Sequence, residues 1–369
     1  MKKILFIFGT RPEAIKLLPL IIEAKKKLDS EVKVFCTGQH DKALKEIYSI
    51  FDEYPDLVLP LKRKNHSLSE LSSKLLKNID IAIEKYKPNL VIVHGDTSSS
   101  FIGALNAFYK HIDIAHIEAG LRTHDMYNPF PEEINRAFIS RVAKYNFCPT
   151  IVSKDNLLKE NVSAKKTYVV GNTVIDSVIG IQERINSNHE LKRSLVEKFK
   201  KPLSYNKKIL ITIHRRENWG DKLQGMLDAF KHLALKNLDT SFIFSVHPNP
   251  KLNNKITSNL NGIKNIFILK PQNYINFVFL MESADLIYTD SGGIQEEATS
   301  LNKYVCVLRD HTERPEVLET GLISIIGTSK KSILNGMQKV SKSPKKIMYP
   351  FGKGDASKKI VKILNENGY

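Results

Sequence analysis

The chain has 369 residues, 42% of them hydrophobic, enough for two domains with sizeable cores. No stretch approaches the roughly 20 apolar residues of a membrane span, so a membrane protein is set aside, and Met1-Lys2-Lys3 ahead of the first apolar run is too short for a signal peptide. Lys and Arg number 56 against 39 Asp and Glu, a net charge of +17 that raises nucleic-acid binding as a class to be weighed.

A strand is expected over residues 4–8, followed by Gly9-Thr10-Arg11-Pro12-Glu13 and a helix to about residue 28, with Pro12 well placed in its first turn. This βα turn lacks G-x-G-x-x-G, which counts against a nicotinamide cofactor held in the usual way. A strand over 31–36 and a helix over 67–86, ended by Pro88, come next. A strand over 90–93 breaks at His94-Gly95-Asp96-Thr97, and a helix runs to about residue 109. The strand over 112–117 ends at Glu118-Ala119-Gly120-Leu121-Arg122. A loop with Pro129 and Pro131 leads to Glu132-Glu133-Ile134-Asn135-Arg136, the start of another helix. Short strands over 145–148 and 168–170 close this half, and Gly171-Asn172-Thr173 opens a helix.

The pattern then restarts. A strand over 208–213 ends at His214-Arg215-Arg216-Glu217 and is followed by a helix over about 223–234. Strands over 242–246 and 266–269 end at His247-Pro248 and Pro271-Gln272, with a helix over 274–284 beyond the second. The strand over 286–288 leads to Asp290-Ser291-Gly292-Gly293 and a helix over 294–301. The strand over 305–308 ends at Arg309-Asp310, with Arg314-Pro315-Glu316 just beyond; a strand over 322–326 and helices over 330–340 and 355–365 finish the chain. Strands alternating with helices predict α/β architecture with parallel sheets covered on both faces, and the restart predicts two such domains. The expected division is 1–171, 172–352, and a C-terminal helix in 353–369 packing back on the first domain.

Strand ends in such sheets are where ligands bind. Strand, Ser291-Gly292-Gly293, then helix is the layout of an anion site: Ser291 is expected to cap the helix, the glycines admit a ligand to the backbone, and Glu297 follows one turn in. Arg11, Arg122, Arg136, Arg215, Arg216, Arg309 and Arg314 lie at or just after expected strand ends, while the lysines scatter over helix surfaces. Arg suits bidentate phosphate recognition. Aromatics, at 8%, are not interleaved with the basic runs. A small phosphate ligand therefore fits better than a nucleic acid. Bland roles also exist: Asp96 as a helix cap, Glu118 paired with Arg122, His214 and His247 as near-core histidines. Cys36, Cys148 and Cys306 have no metal-type spacing and read as reduced core residues of a cytoplasmic protein.

The motifs beginning at Gly9, His94, Glu118, Pro131, His214 and Asp290, with Thr312-Glu313-Arg314-Pro315-Glu316, together resemble the signature set of non-hydrolysing UDP-N-acetylglucosamine 2-epimerases, in order over nearly the whole chain. The resemblance implies two Rossmann-like domains of the glycosyltransferase-B type with the site in the interdomain cleft. It implies a cytoplasmic homodimer that interconverts UDP-GlcNAc and UDP-ManNAc without a cofactor, feeding surface polysaccharides. It further implies Asp96, Glu118, Glu132 and His214 as catalytic residues. Arg11, Lys16, Arg136, His247, Gln272, Phe277, Ser291, Gly292, Gly293, Glu297 and Arg314 would bind the UDP-sugar. The carbon-2 proton has no adjoining carbonyl to acidify it. Elimination of UDP to 2-acetamidoglucal and its re-addition therefore needs carboxylates near carbon-2 and positive groups at the diphosphate. Rival readings are a hydrolysing epimerase and a glycosyltransferase of the same fold. Gln39-His40 is followed by Asp41-Lys42-Ala43, a departure from the Arg-containing run of many bacterial relatives that use a second UDP-GlcNAc as activator.

Overall fold

The structure is a computed structural model that describes residues 1–38, 41–61, 67–246, 249–312, 315–339 and 348–369. It divides into two compact units, Met1–Ser177 with Phe351–Tyr369, and Val178–Pro350. The first unit contains β1 (Lys2–Phe8), α1 (Arg11–Lys27), β2 (Ser30–Cys36), α2 (Asp41–Phe51), β3 (Leu57–Val58), α3 (Leu68–Tyr86) and β4 (Leu90–His94). It continues with α4 (Ser98–Tyr109), β5 (Asp113–Ile117), α5 (Glu132–Val142), β6 (Tyr145–Cys148), α6 (Ile151–Lys159) and β7 (Thr167–Val169). Within α7 (Thr173–Ser187) the chain passes to the second unit. There follow α8 (His189–Lys198), α9 (Lys200–Leu203), β8 (Lys207–Thr212), α10 (Asp221–Lys236), β9 (Thr240–Ser245), α11 (Pro250–Leu260) and β10 (Ile266–Leu269). The second unit ends with α12 (Tyr274–Ser283), β11 (Leu286–Thr289), α13 (Gly292–Ser300), β12 (Tyr304–Val307), β13 (Ile323–Ile325) and α14 (Lys330–Lys339); α15 (Ala356–Glu366) belongs to the first.

Among the described residues, the first unit holds a seven-stranded sheet in the order β3-β2-β1-β4-β5-β6-β7, and the second a six-stranded sheet in the order β10-β9-β8-β11-β12-β13. All described pairings are parallel. The strands show why: β4 is buried at every position and β1 at five of seven. Continuous apolar runs suit strands covered on both faces. In each sheet the strand order reverses direction between the first and fourth strands of the unit: β1 beside β4, and β8 beside β11. That switch point is where an α/β sheet opens a crevice at its carboxyl ends. The turns at Gly9, His94, His214 and Asp290 all lie there.

Helices α2, α6 and α11 lie where no element is expected from periodicity. In α11 only Leu252, Ile256 and Leu260 are buried in an otherwise polar sequence, and Asn249 caps a helix that begins at Pro250. Residues 189–203 form α8 and α9. In the first unit α15 buries Ile360, Val361 and Leu364 and packs on α1. Its first N–H groups, of Ala356 and Ser357, donate to the Asp176 carboxylate at 3.2 and 2.7 Å. The carboxylate of α7 thus caps a helix that begins 180 residues later.

Tyr288 sits in the middle of the second unit's core, fully buried, edge-on to Phe230 at 5.2 Å, its hydroxyl donating to the Ile333 carbonyl. Gly336 in α14 faces it: a Cβ there would stand 2.6 Å from the Tyr288 hydroxyl oxygen and 3.1 Å from the ring. Replacing Gly336 with Ala gains up to about 1 kcal/mol of helix propensity but forces a locked ring to move, which costs about 1–3 kcal/mol. We expect Gly336→Ala to lower the midpoint of thermal unfolding, and an unchanged or raised midpoint would contradict this packing.

Candidate active site

Glu13 organises the switch point of the first unit. Only 2% exposed, it accepts at Oε2 from Gly9 N–H (3.1 Å), Thr10 N–H (2.8 Å) and the Thr10 hydroxyl (2.7 Å). At Oε1 it meets the hydroxyls of Thr97 (2.7 Å) and Ser100 (2.8 Å) at the start of α4. One carboxylate thereby ties the turn after β1 to the turn after β4. Gly9 has no room for a side chain, since a Cβ would lie 2.3 Å from both Ser99 Oγ and Thr37 Oγ1.

This frame brings together several of the expected residues. Arg11 is the first residue of α1, and its Nε is buried without a hydrogen-bond partner. Asp96 pairs with Arg136 at 2.5 Å, and its backbone carbonyl accepts from Asn135 at 2.8 Å. Burial pushes the Asp96 carboxyl up from its ordinary range; Arg136 and Lys16 oppose this, while the charges of Glu118 and Glu132 add to it. Thr97, not Asp96, caps α4 by accepting from Ser100 N–H. Glu118 follows β5 with φ +62°, a left-handed backbone rare for a residue with a side chain. Its Oε2 receives Lys16 Nζ and Asn172 Nδ2 (2.9 Å). Arg122, expected among the phosphate-facing arginines or as the partner of Glu118, is neither: both ends of its guanidinium bind Glu160, at 2.7 and 2.8 Å. Glu133, beside the half-buried Glu132, accepts from Thr123 and His124 N–H and lies 3.4 Å from Arg136.

Asp290 plays the corresponding part in the second unit. Fully buried, it accepts from the N–H groups of His214 (3.1 Å) and Arg215 (3.0 Å) and from Asn218 Nδ2 (2.9 Å), and lies 2.7 Å from His214 Nδ1. Burial would raise its carboxyl, but these hydrogen bonds and the His214 ring outweigh it and leave it below the ordinary range. The half-exposed His214 ring is thus anchored at one nitrogen. Ser291 occupies the N-cap of α13 but its side chain makes no capping hydrogen bond, contrary to expectation. Its N–H is drawn to Thr289 Oγ1 (3.0 Å), a hydroxyl fixed by Thr212. Gly292 is buried, and a Cβ on Gly293 would meet nothing within 4 Å. Glu297 accepts from the Tyr274 hydroxyl at 3.0 Å. Gln272 bridges the Lys270 carbonyl and Asn276, and Phe277 is half-buried on α12. His247 and Arg314 lie outside the described residues, as do Gln39 and His40.

Glu13, His94, His116, Glu133, Asn172 and Asp290 were not singled out from sequence, although all but His116 stand inside or beside the quoted motifs. Thr10-x-x-Glu13 is a capping-box spacing, which was a usable signal for Glu13. Glu133 finds its partners 3 to 10 residues away, whereas His94, His116, Asn172 and Asp290 gain their roles from side-chain contacts across 21 to 76 residues, which no spacing announces.

Both histidines of the first cluster are held neutral. Burial lowers His94 to about 4 and His116 to about 3, from an ordinary 6.5. The Gly95 carbonyl, 2.8 Å from His116 Nε2, can only accept, so Nε2 carries the proton and Nδ1 accepts from Ser140 (3.1 Å). Below pH 6.5 the unfolded chain binds protons that the folded chain refuses, so stability falls as pH falls from 6.5 toward 3. His116→Gln keeps a donor for Gly95 and removes one titrating group. The stability gap between wild type and variant, measured by urea unfolding, should therefore shrink by about 1.4 kcal/mol per pH unit below 6. A gap that does not change with pH would show that His116 is already charged in the fold.

Against known proteins, the family described as UDP-N-acetylglucosamine 2-epimerase matches residues 22–365. The UDP-N-acetylglucosamine 2-epimerase of Campylobacter jejuni is 40% identical over 375 residues, covering 99% of this chain and 97% of that protein. That of Neisseria meningitidis is 40% identical over 371 residues, covering 99% and 100%. A crystal structure of a Neisseria meningitidis enzyme bound to UDP-GlcNAc superposes with TM-score 0.92 at 39% identity, covering 99% and 100% of the two chains. A Methanocaldococcus jannaschii enzyme in complex with UDP-GlcNAc and UDP gives 0.85 at 33% identity, with 99% and 100% covered. The two parallel α/β sheets, the motifs at their switch points and this likeness over the full length lead to one conclusion: the chain belongs to the UDP-N-acetylglucosamine 2-epimerase family.

Proposed function

We propose that the protein interconverts UDP-GlcNAc and UDP-ManNAc by eliminating UDP to 2-acetamidoglucal and then adding UDP back to carbon-1 with the proton returned to the opposite face of carbon-2. The observation that carries this reading is the cluster in the first unit, where Asp96 feels the charges of Glu118 and Glu132 and is balanced by Arg136 and Lys16. Carboxylates set close together, one of them raised by burial, suit the removal and return of a carbon-bound proton. In this reading the second unit holds the nucleotide. Backbone N–H groups at the start of α13, opened by Gly292 and Gly293, bind the diphosphate with His214, and His247 and Arg314, outside the described residues, are assigned to the same task. Arg11 supports the departing phosphate, and Gln272, Phe277, Ser291 and Glu297 position the remainder of the UDP-sugar. The elimination route calls for no redox cofactor, because the carbon-1 to oxygen bond and the carbon-2 to hydrogen bond break and re-form with UDP and a proton as the departing and returning groups, and no hydride is transferred.

Incubation with UDP-GlcNAc alone should give UDP-ManNAc by NMR. In heavy water the product should carry deuterium at carbon-2, and an oxygen label bridging sugar and diphosphate should scramble in the recovered pool. Free ManNAc with UDP would instead indicate hydrolysis, and deuterium with an intact bridging label a redox route. Asp96→Asn and Glu118→Gln should each lower kcat by at least 100-fold, as loss of a general acid or base does, with KM little changed.

The active form in this proposal is a homodimer working in the cytoplasm and supplying ManNAc for surface polysaccharides. No helix among the described residues is long and apolar enough to cross a membrane. Ile81 on α3 and Phe108 and Tyr109 on α4 are more than half exposed, on helices that pack together, which favours burial against a second copy. Light scattering should return twice the 41.9 kDa chain mass; a monomer at micromolar concentration would remove the dimer from the proposal.

A further inference from the structure

The turn Gly171-Asn172 stands next to the reacting groups without being one of them. Asn172 is 2% exposed and bonded in three directions. Its N–H donates to the Phe351 carbonyl at 2.8 Å, its Oδ1 accepts from Val174 N–H at 3.1 Å, and its Nδ2 donates to Glu118 Oε2 at 2.9 Å. Gly171 has φ +96°, and a Cβ there would stand 2.8 Å from the Phe351 carbonyl oxygen. The side chain of Asn172 therefore grows from a backbone held on both sides. It is fixed where the chain approaches its exit from the first unit at Ser177 and beside its re-entry at Phe351.

Glu118 depends on such an anchor. Its left-handed backbone is costly and does not by itself hold the side chain in one direction. Lys16 reaches the same Oε2 from a long flexible stem in α1, and His94 Nε2 lies 3.7 Å from it at the end of β4. Asp96 in the next turn and His116 on β5 also sense the Glu118 charge. Among these contacts Asn172 contributes a neutral donor of short reach, rooted in fixed backbone.

We infer that Asn172 is a positioning residue for the proposed epimerisation: its amide holds Glu118 Oε2, fixing the direction of the carboxylate and favouring its ionised form. This rests on the functional reading above. The effect falls on the chemical step and on Glu118, not on the hold on UDP. Asn172→Ser separates this role from a structural one. Serine keeps an acceptor for the Val174 N–H and the backbone bond to Phe351 but cannot reach Glu118.

The expected result for Asn172→Ser is a kcat lower by about 10- to 100-fold, the scale of one charge-assisted hydrogen bond, with UDP binding and KM little changed. The Glu118 carboxyl, followed by carbon-13 NMR with Glu118→Gln for assignment, should titrate at higher pH than in wild type, because the charged form has lost a donor. Asn172→Asp keeps the cap acceptor and places a like charge against Glu118, so its kcat should fall further; it carries the test if the serine variant fails to fold. Wild-type kcat together with an unmoved Glu118 titration in a folded variant overturns the inference and leaves the epimerase reading intact. If wild-type protein fails to convert UDP-GlcNAc, the epimerase reading falls, and the Glu118 titration still decides whether Asn172 holds that carboxylate.

Discussion

A buried carboxylate at a topological switch point is the interaction on which each unit depends. Parallel strands end with unpaired backbone groups, and the turns that follow expose N–H donors which must be satisfied away from water. Glu13 and Asp290 each answer this with an acceptor-only group serving several donors at once. Hydrogen bonds to a charged acceptor contribute about 1.5–3 kcal/mol each, and the five donors on Glu13 and four on Asp290 offset the several kcal/mol of burying the charge. The two residues differ in origin: Glu13 reaches back from the first turn of a helix, whereas Asp290 directly follows a strand. The result is the same, a turn after the first strand of the unit locked to the turn after the fourth.

Upon this frame sits a second layer in which charge is balanced less completely. Asp96 has Arg136, and Glu118 has Lys16, yet burial and the neighbouring carboxylates still raise the Asp96 carboxyl. A structural ion pair would settle both partners in their charged forms. A group left with divided influences is easier to protonate and deprotonate, which is the property proton transfer uses. The neutral His94 and His116 behind the cluster keep further charge out of it. In the second unit the balance is the reverse: Asp290 is held firmly ionised, as suits a group whose task is to hold His214 and its loop.

Much of this was legible in the chain. Apolar runs of strand length separated by helical periods gave the parallel sheets, because strands covered on both faces cannot hide their composition. Residues at the strand ends were visible because polar groups abruptly follow those runs, as His94 to Thr97 follow β4. Polar surface helices such as α11, with three buried apolar positions, carried too weak a period to be seen. Arg122 illustrates the limit on side chains. Its position after β5 looks like that of a ligand-binding arginine, and only the fold brings Glu160 to its Nε and Nη2. Asn172 and Asp290 are the opposite case, ordinary turn residues in the sequence that acquire partners 54 and 76 positions away.

The return of residues 351–369 to the first unit sets the order in which the molecule can be completed during synthesis. The second unit, Val178–Pro350, is a single uninterrupted stretch, so all of its strands have been made before the last helix exists. The first unit, though made first, still lacks α15 at that moment. The face of α1 that will receive Ile360, Val361 and Leu364 stays bare, and Asp176 waits without the two N–H groups it will cap. The unit whose first strands are made earlier thus closes after the other. The backbone bond from Asn172 to Phe351, one atom chain away from Glu118, is among the final contacts to form.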